Sequence, residues 1–144
     1  MSQPSVYFAR AVDFLDPLKV AEVAARAREV LALHGMRLVD PLEYEMDAGP
    51  DVVELDLAVL RRCDAMLVDM TIPDRNYIGC VAELVYAHSW RIPAVVYVGS
   101  TDYGRRPWLR YHATQVCRSQ DEAVVALRAA LSGTVAWPFG RTPE

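Results

Sequence analysis

Short apolar runs alternate with longer helical patterns along almost the whole chain, and this order constrains the fold more than any other property. The runs are "SVYFA" (5–9), "MRLV" (36–39), "AMLVDM" (65–70), "PAVVYV" (93–98) and "TQVC" (114–117). Their β-branched and aromatic bias predicts buried strands. Between them lie helix signals. "DPLKVAEVAARAREVLALHG" opens with Asp16 as N-cap and Pro17 at the first helical position, and stops at Gly35. "GPDVVELDLAVLRR" carries Asp51 and Glu54 as an expected N-terminal cap pair and runs to Arg62. Residues 79–90 form the next helix, and Ser119 with Glu122 makes a capping box for a last one ending at Gly133.

Strands separated by helices imply a parallel sheet covered on both faces, and strands apolar without interruption fit burial on both sides. The expected fold is a single α/β domain over residues 1–144, a flavodoxin-like doubly wound sheet of about five strands. In such sheets the ligand crevice lies beyond the carboxyl ends of the strands, where strand order reverses. That directs attention to 9–16, 40–50, 69–79 and 99–112, and so to Arg10, Asp13 and Asp69 as candidate binding residues.

Composition narrows the function. At 144 residues and 53% hydrophobic, the chain can bury one sizeable core. A net charge of −4 and a pI near 5.4 argue against a partner that is a nucleic acid polymer. The charge is uneven: 40–56 holds seven acids and no base, and 105–118 holds four arginines and no acid. A small anionic ligand fits the second stretch. No run approaches a membrane span, and no basic-then-apolar leader pattern opens the chain. Three scattered cysteines and three histidines lack metal-ligand spacing. The expectation is a cytoplasmic protein with no metal and no cofactor.

The most informative single residue is Glu83, set in "RNYIGCVAELVYAHSW" (75–90). Apolar neighbours surround it on every side of the helix, and an unpaired buried carboxylate is costly. It either points into a polar cavity, meets a partner or lies on a solvated edge. Gly79, one turn earlier on the same face, leaves room for a ligand to approach from the crevice. Tyr7, in the first strand, needs a partner for its hydroxyl. Asp56 and Asp69 are further carboxylates at crevice-side positions. A core tyrosine, a surface aspartate and a solvated loop residue are the ordinary alternatives for these three.

The segments "VYFA" (6–9), "ELDLAVLRRCDAMLVDMTIPD" (54–74) and "GCVAELVYA" (79–87), with "PAVVYV" behind them, resemble the nucleoside 2-deoxyribosyltransferase superfamily. That superfamily includes deoxyribosyltransferases, a deoxynucleoside 5'-phosphate N-hydrolase and cytidylate hydrolases. Its most specific shared element here is G-x-x-x-E followed by Leu-x-x-Ala. The resemblance implies Glu83 as the catalytic carboxylate, Tyr7 as the group that orients it and Asp56 as an aid at base and sugar. It also implies homo-oligomers whose neighbours complete each site. Three positions depart from the pattern: Tyr77 stands where the family has a base-binding aspartate or phosphate-binding serine, Ala9-Arg10-Ala11 replaces a glycine-rich turn, and Val85 replaces a glycine.

Such residues could cleave an N-glycosidic bond through an oxocarbenium-like sugar, with Glu83 attacking or stabilising C1' and Asp56 organising the proton for the departing base. Arg105, Arg106 and Arg110, with His112 and Arg10, suggest guanidinium forks for a phosphate. On that ground the expected substrate is a nucleoside 5'-monophosphate, split by water into base and sugar phosphate; the resemblance to cytidylate hydrolases implies a pyrimidine base, cytosine by expectation. Base exchange by a 2'-deoxyribosyltransferase is the alternative. A non-catalytic nucleotide-binding flavodoxin-like module is the third; its phosphoacceptor form would use Asp69 but lacks the acidic pair and lysine, "ARAV" and "RSQ" standing at those places. Trp108, Tyr111, Trp137 and Phe139 could stack a base or pack a subunit interface.

Overall fold

The structure is a computed structural model, and it describes residues 3–45 and 51–133. Strand β1 (Ser5–Ala9) leads through helix α1 (Pro17–Leu33) to β2 (Arg37–Val39). A 3-10 turn (Pro41–Tyr44) and α2 (Val52–Arg61) follow, then β3 (Ala65–Asp69), α3 (Ile78–Ser89) and β4 (Ala94–Tyr97). A second 3-10 turn (Tyr103–Arg105) precedes α4 (Pro107–His112), β5 (Gln115–Cys117) and α5 (Gln120–Leu131). The five strands are all parallel in the order β2-β1-β3-β4-β5. Order therefore reverses between β1 and β3, and the crevice expected of a doubly wound sheet opens at their carboxyl ends.

Alternation of side chains divides the sheet into two packed layers. Val6, Phe8, Leu67 and Val95 pack against Ala24, Ala27 and Leu31 of α1 and Val124 and Leu127 of α5. Tyr7, Ala9, Met66, Val68 and Val96 face Leu60 of α2, Leu84 and Ala87 of α3 and Leu109 of α4. Trp137 and Phe139 lie outside the described residues. No helix among the described residues is long and apolar enough to cross a membrane.

Local signals mostly act as the sequence predicts. Asp16 caps α1 by accepting from the Leu18 N–H at 3.0 Å, and Ser119 caps α5 by accepting from the Glu122 N–H at 3.2 Å. Gly35 stops α1 at φ 75°, a conformation that favours a residue without Cβ. Two expectations change. Asp51 precedes α2 but its side chain makes no capping hydrogen bond. The arginine-bearing stretch read as a loop contains α4, which Pro107 starts with its preset φ.

The polar lock of the fold is Arg10. Next along the chain after β1, it shares a face with Phe8, points toward α1 and is 7% exposed. Its Nη1 and Nη2 donate to Oδ1 and Oδ2 of Asp40 at 2.9 and 3.0 Å, and its Nε donates to the Val20 carbonyl at 3.2 Å. Asp40 also accepts from the Leu42 N–H at 3.0 Å. One ion pair thus ties the ends of β1 and β2 to α1 and to the turn that follows. Removing one partner strands a buried charge. Asp40→Ala is expected to lower the unfolding free energy by about 3–5 kcal/mol, read by urea denaturation, with Arg10→Met/Asp40→Leu recovering most of it. A loss under about 1 kcal/mol would mean that water reaches the guanidinium.

Candidate active site

Tyr7 occupies the middle of β1, paired with Val39 on one side and Met66 on the other, and is fully buried. Its ring points to the α2–α3 layer, and its hydroxyl donates to Oε2 of Glu83. Glu83 therefore does have a partner, delivered across the sheet face. An added Cβ at Gly79 would meet no atom within 4 Å, so the space one turn above the carboxylate is open. Tyr77, left-handed at φ 54°, starts α3 and turns the chain so that Gly79 and Glu83 face the crevice.

Asp56, on α2, joins them. Its Oδ1 is buried without a hydrogen-bond partner. The Glu45 carboxyl, just beyond the 3-10 turn Pro41–Tyr44, lies near enough to act on it. Burial first, then the Glu45 carboxyl and the Glu83 charge, raise the Asp56 pKa to about 8. Burial raises Glu83 to about 7, against the Tyr7 hydrogen bond, which favours the ionised form, and with the Glu45 charge. Burial and the Glu83 charge drive the Tyr7 phenol far upward, so it remains a donor. Asp56 and Glu83 both hold protons near neutrality, and because the Glu83 charge raises Asp56 the two titrate together. Cys80 is buried and its thiol is pushed upward by burial, which disfavours a thiolate there.

The other expected residues fall elsewhere, for reasons of strand parity and loop packing. Arg10 and Asp69 face the α1–α5 layer. Asp69 accepts from the Thr71 N–H at 3.0 Å and hydroxyl at 2.7 Å, and from the Tyr97 hydroxyl at 3.0 Å. Arg10 is engaged by Asp40. The Tyr77 hydroxyl accepts from the Ile72 N–H at 3.1 Å, and its ring packs edge-on against Tyr103 at 5.5 Å, so it braces the loop after β3. The Asp13 side chain is exposed, while its carbonyl accepts from Arg75 Nη2 at 2.7 Å. Arg105 and Arg110 line a cleft at the β5 edge. His112 stacks on Trp108 and meets His88 edge-on. The structure thus gathers Tyr7, Asp56, Gly79 and Glu83 and does not gather the arginines with them.

Sequence reasoning missed Glu45. The acidic density of 40–56 was the available signal, but selecting Glu45 from it requires the turn that aims it at Asp56.

The raised carboxyl pKa values set a sign for stability. The folded state holds these protons more tightly than the unfolded chain, whose carboxyls titrate at the ordinary 3.8 and 4.5. The stabilisation is complete below those values and is lost as pH rises through about 7 and 8. Denaturant unfolding should therefore show lower stability at pH 8.5 than at pH 5. Asp56→Asn should narrow the difference, and an unchanged difference would remove Asp56 as its source.

By sequence, neither a protein-family model nor a curated protein matches the chain. Solved structures do match. A 2-deoxyribosyltransferase from Bacillus psychrosaccharolyticus superposes with a TM-score of 0.68 at 16% identity, covering 88% of this chain and 95% of that one. A 2-deoxyribosyltransferase from Leishmania mexicana gives 0.58 at 18%, covering 77% and 73%. The sugar isomerase domain of an RpiR transcription factor from Sphaerobacter thermophilus gives 0.51 at 18%, covering 92% and 72%. The chain has the fold found in the 2-deoxyribosyltransferases.

Proposed function

We propose that the protein cleaves the N-glycosidic bond of a nucleoside and transfers the sugar to a second base, as a member of the nucleoside 2-deoxyribosyltransferase superfamily. The observation that carries this reading is the Tyr7–Glu83 hydrogen bond at the crevice of a fold shared with 2-deoxyribosyltransferases. Ionised Glu83 attacks C1' as the bond to the base breaks, and the bonding pair leaves with the base nitrogen. A proton from Asp56 neutralises the departing base. A nitrogen of the second base then attacks C1', its N–H proton passes to the Asp56 carboxylate, and the Glu83 carboxylate is expelled, restoring the enzyme. Tyr7 holds the carboxylate in line and lowers its proton affinity.

Hydrolysis of a nucleoside 5'-monophosphate is the second reading, with water in place of the second base. Its argument was a phosphate held by arginines. Arg10 is engaged by Asp40, and Arg105 and Arg110 line a different cleft, so transfer takes precedence. Self-association is part of the proposal. Exposed Ile78, Trp108 and Tyr111 on α3 and α4 offer apolar surface for it, and sedimentation of the purified chain measures it.

The working form needs Glu83 ionised and Asp56 protonated. The rate should therefore be bell-shaped in pH, with limbs near the pKa values of about 7 for Glu83 and about 8 for Asp56. Tyr7→Phe removes the hydrogen bond that favours the carboxylate and should move the acid limb upward. A role confined to packing would leave the limb in place. In chromatographic assays of nucleosides and 5'-monophosphates, with and without an added base, wild type should form a new nucleoside. Glu83→Ala should lose about a thousandfold in kcat. Free base released from monophosphates alone would favour hydrolysis, and equal turnover by Glu83→Ala would overturn the proposal.

A further inference from the structure

The arginines that the crevice does not use converge elsewhere. A cleft of about 790 Å³ opens at the carboxyl end of β4 and along β5, the edge strand of the sheet. Arg105, Arg110 and Arg118 line it, carried respectively by the 3-10 turn, α4 and the residue after β5. The ion pairs among the described residues are Arg10–Asp40 and Arg28–Glu43, so none of these three guanidinium groups is paired with a carboxylate there. Arg118 donates through Nη1 to the Gly99 carbonyl at 3.1 Å, which anchors its guanidinium at the loop after β4. Two carboxylates, Asp102 and Glu122, share the walls, which leaves arginine in excess.

Two features decide what such a cleft can hold. Ser119 caps the amino end of α5, whose first turn carries Asp121 and Glu122, so the positive potential of the cleft comes from its arginines. Each guanidinium presents a planar fork that matches two oxygens of one anionic group. Three forks from three separate chain segments exceed what a single phosphate occupies. A ligand with several anionic groups in a row satisfies them together.

We propose that this cleft binds a short phosphate chain, as found in a nucleoside triphosphate or an inorganic oligophosphate. The site stands apart from Tyr7 and Glu83, which do not line it, and does not rest on the reading of Glu83. It gives the arginine-rich stretch 105–118 a ligand in a protein whose net charge is −4.

Titration of the full-length chain with inorganic tripolyphosphate, followed by calorimetry and by amide chemical shifts, tests the proposal. Saturable binding is expected at submillimolar concentration and weakens with added salt. Shifts should concentrate at 99–105 and 114–121. Arg105→Gln/Arg110→Gln/Arg118→Gln should bind at least tenfold more weakly. Arg37→Gln/Arg62→Gln/Arg91→Gln, which removes the same charge from other exposed positions, should bind as wild type does. Adenosine triphosphate as a second titrant separates the sources. Equal affinity means that the phosphate chain alone is read, and tighter binding means that base or sugar also contacts the cleft. The shift map of the wild type decides the matter even if a variant misfolds. No saturation, shifts centred on Tyr7 and Glu83, or equal loss in both triple variants would overturn the proposal.

Discussion

A phenol in a fully buried strand of the sheet meets a carboxylate in an almost wholly apolar helix, and the architecture of the crevice depends on that contact. Glu83 sits on a helix whose mean character is that of the core, where a lone carboxylate carries a desolvation penalty. Tyr7 offsets part of it by donating a hydrogen bond, and open space above Gly79 lets solvent or a ligand supply the rest. The pair also works in reverse. A fully buried tyrosine hydroxyl needs an acceptor, and the carboxylate is the one in reach. Each residue makes the other tolerable, so the two must be placed together by the β1–α3 packing.

That placement follows from parity along the strands. Tyr7 and Ala9 face α2 and α3, whereas Phe8 and Arg10 face α1 and α5. One step in sequence therefore separates a site residue from a structural ion pair. Asp69 and Tyr97 obey the same rule, being register partners on β3 and β4 whose side chains meet on the α1–α5 side. Proximity to a strand end is a necessary condition for a crevice residue. The face it points to is a second condition, and a parallel sheet covered by helices on both sides offers two different faces.

Much of this was legible in the chain itself. Apolar runs and caps located every strand and the four long helices, because each rests on interactions within a few residues. Glu83 and Tyr7 stood out for the same local reason, a polar group among apolar neighbours. The arginines could not be placed that way. Their segment folds into a short helix begun by Pro107 and packs beside β5, and nothing local shows beside which strands a long connection lies. Glu45 was equally hidden, since its approach to Asp56 joins a turn after β2 to a helix residue eleven positions later. Asp40 and Arg10 read as separate charges until the sheet brought them together across thirty residues.

The separation of acid and base along the sequence becomes a separation in space with a chemical consequence. Glu45 and Asp56, from the acidic stretch, join Glu83 at the reversal between β1 and β3, while the arginine stretch lies at the β5 edge. A guanidinium within about 4–6 Å of a carboxyl favours its ionised form and can lower its pKa by about 1–3 units. Were Arg105 or Arg110 seated in the crevice, as their positions after β4 first suggested, Asp56 would not hold its proton near neutrality. Glu83 would ionise more readily but would be paired with a cation. The raised pKa values of about 7 and 8 thus depend on what the fold keeps away as much as on what it buries. Two carboxyls can stay protonated near neutrality in this crevice because Arg105 and Arg110 line a different cleft.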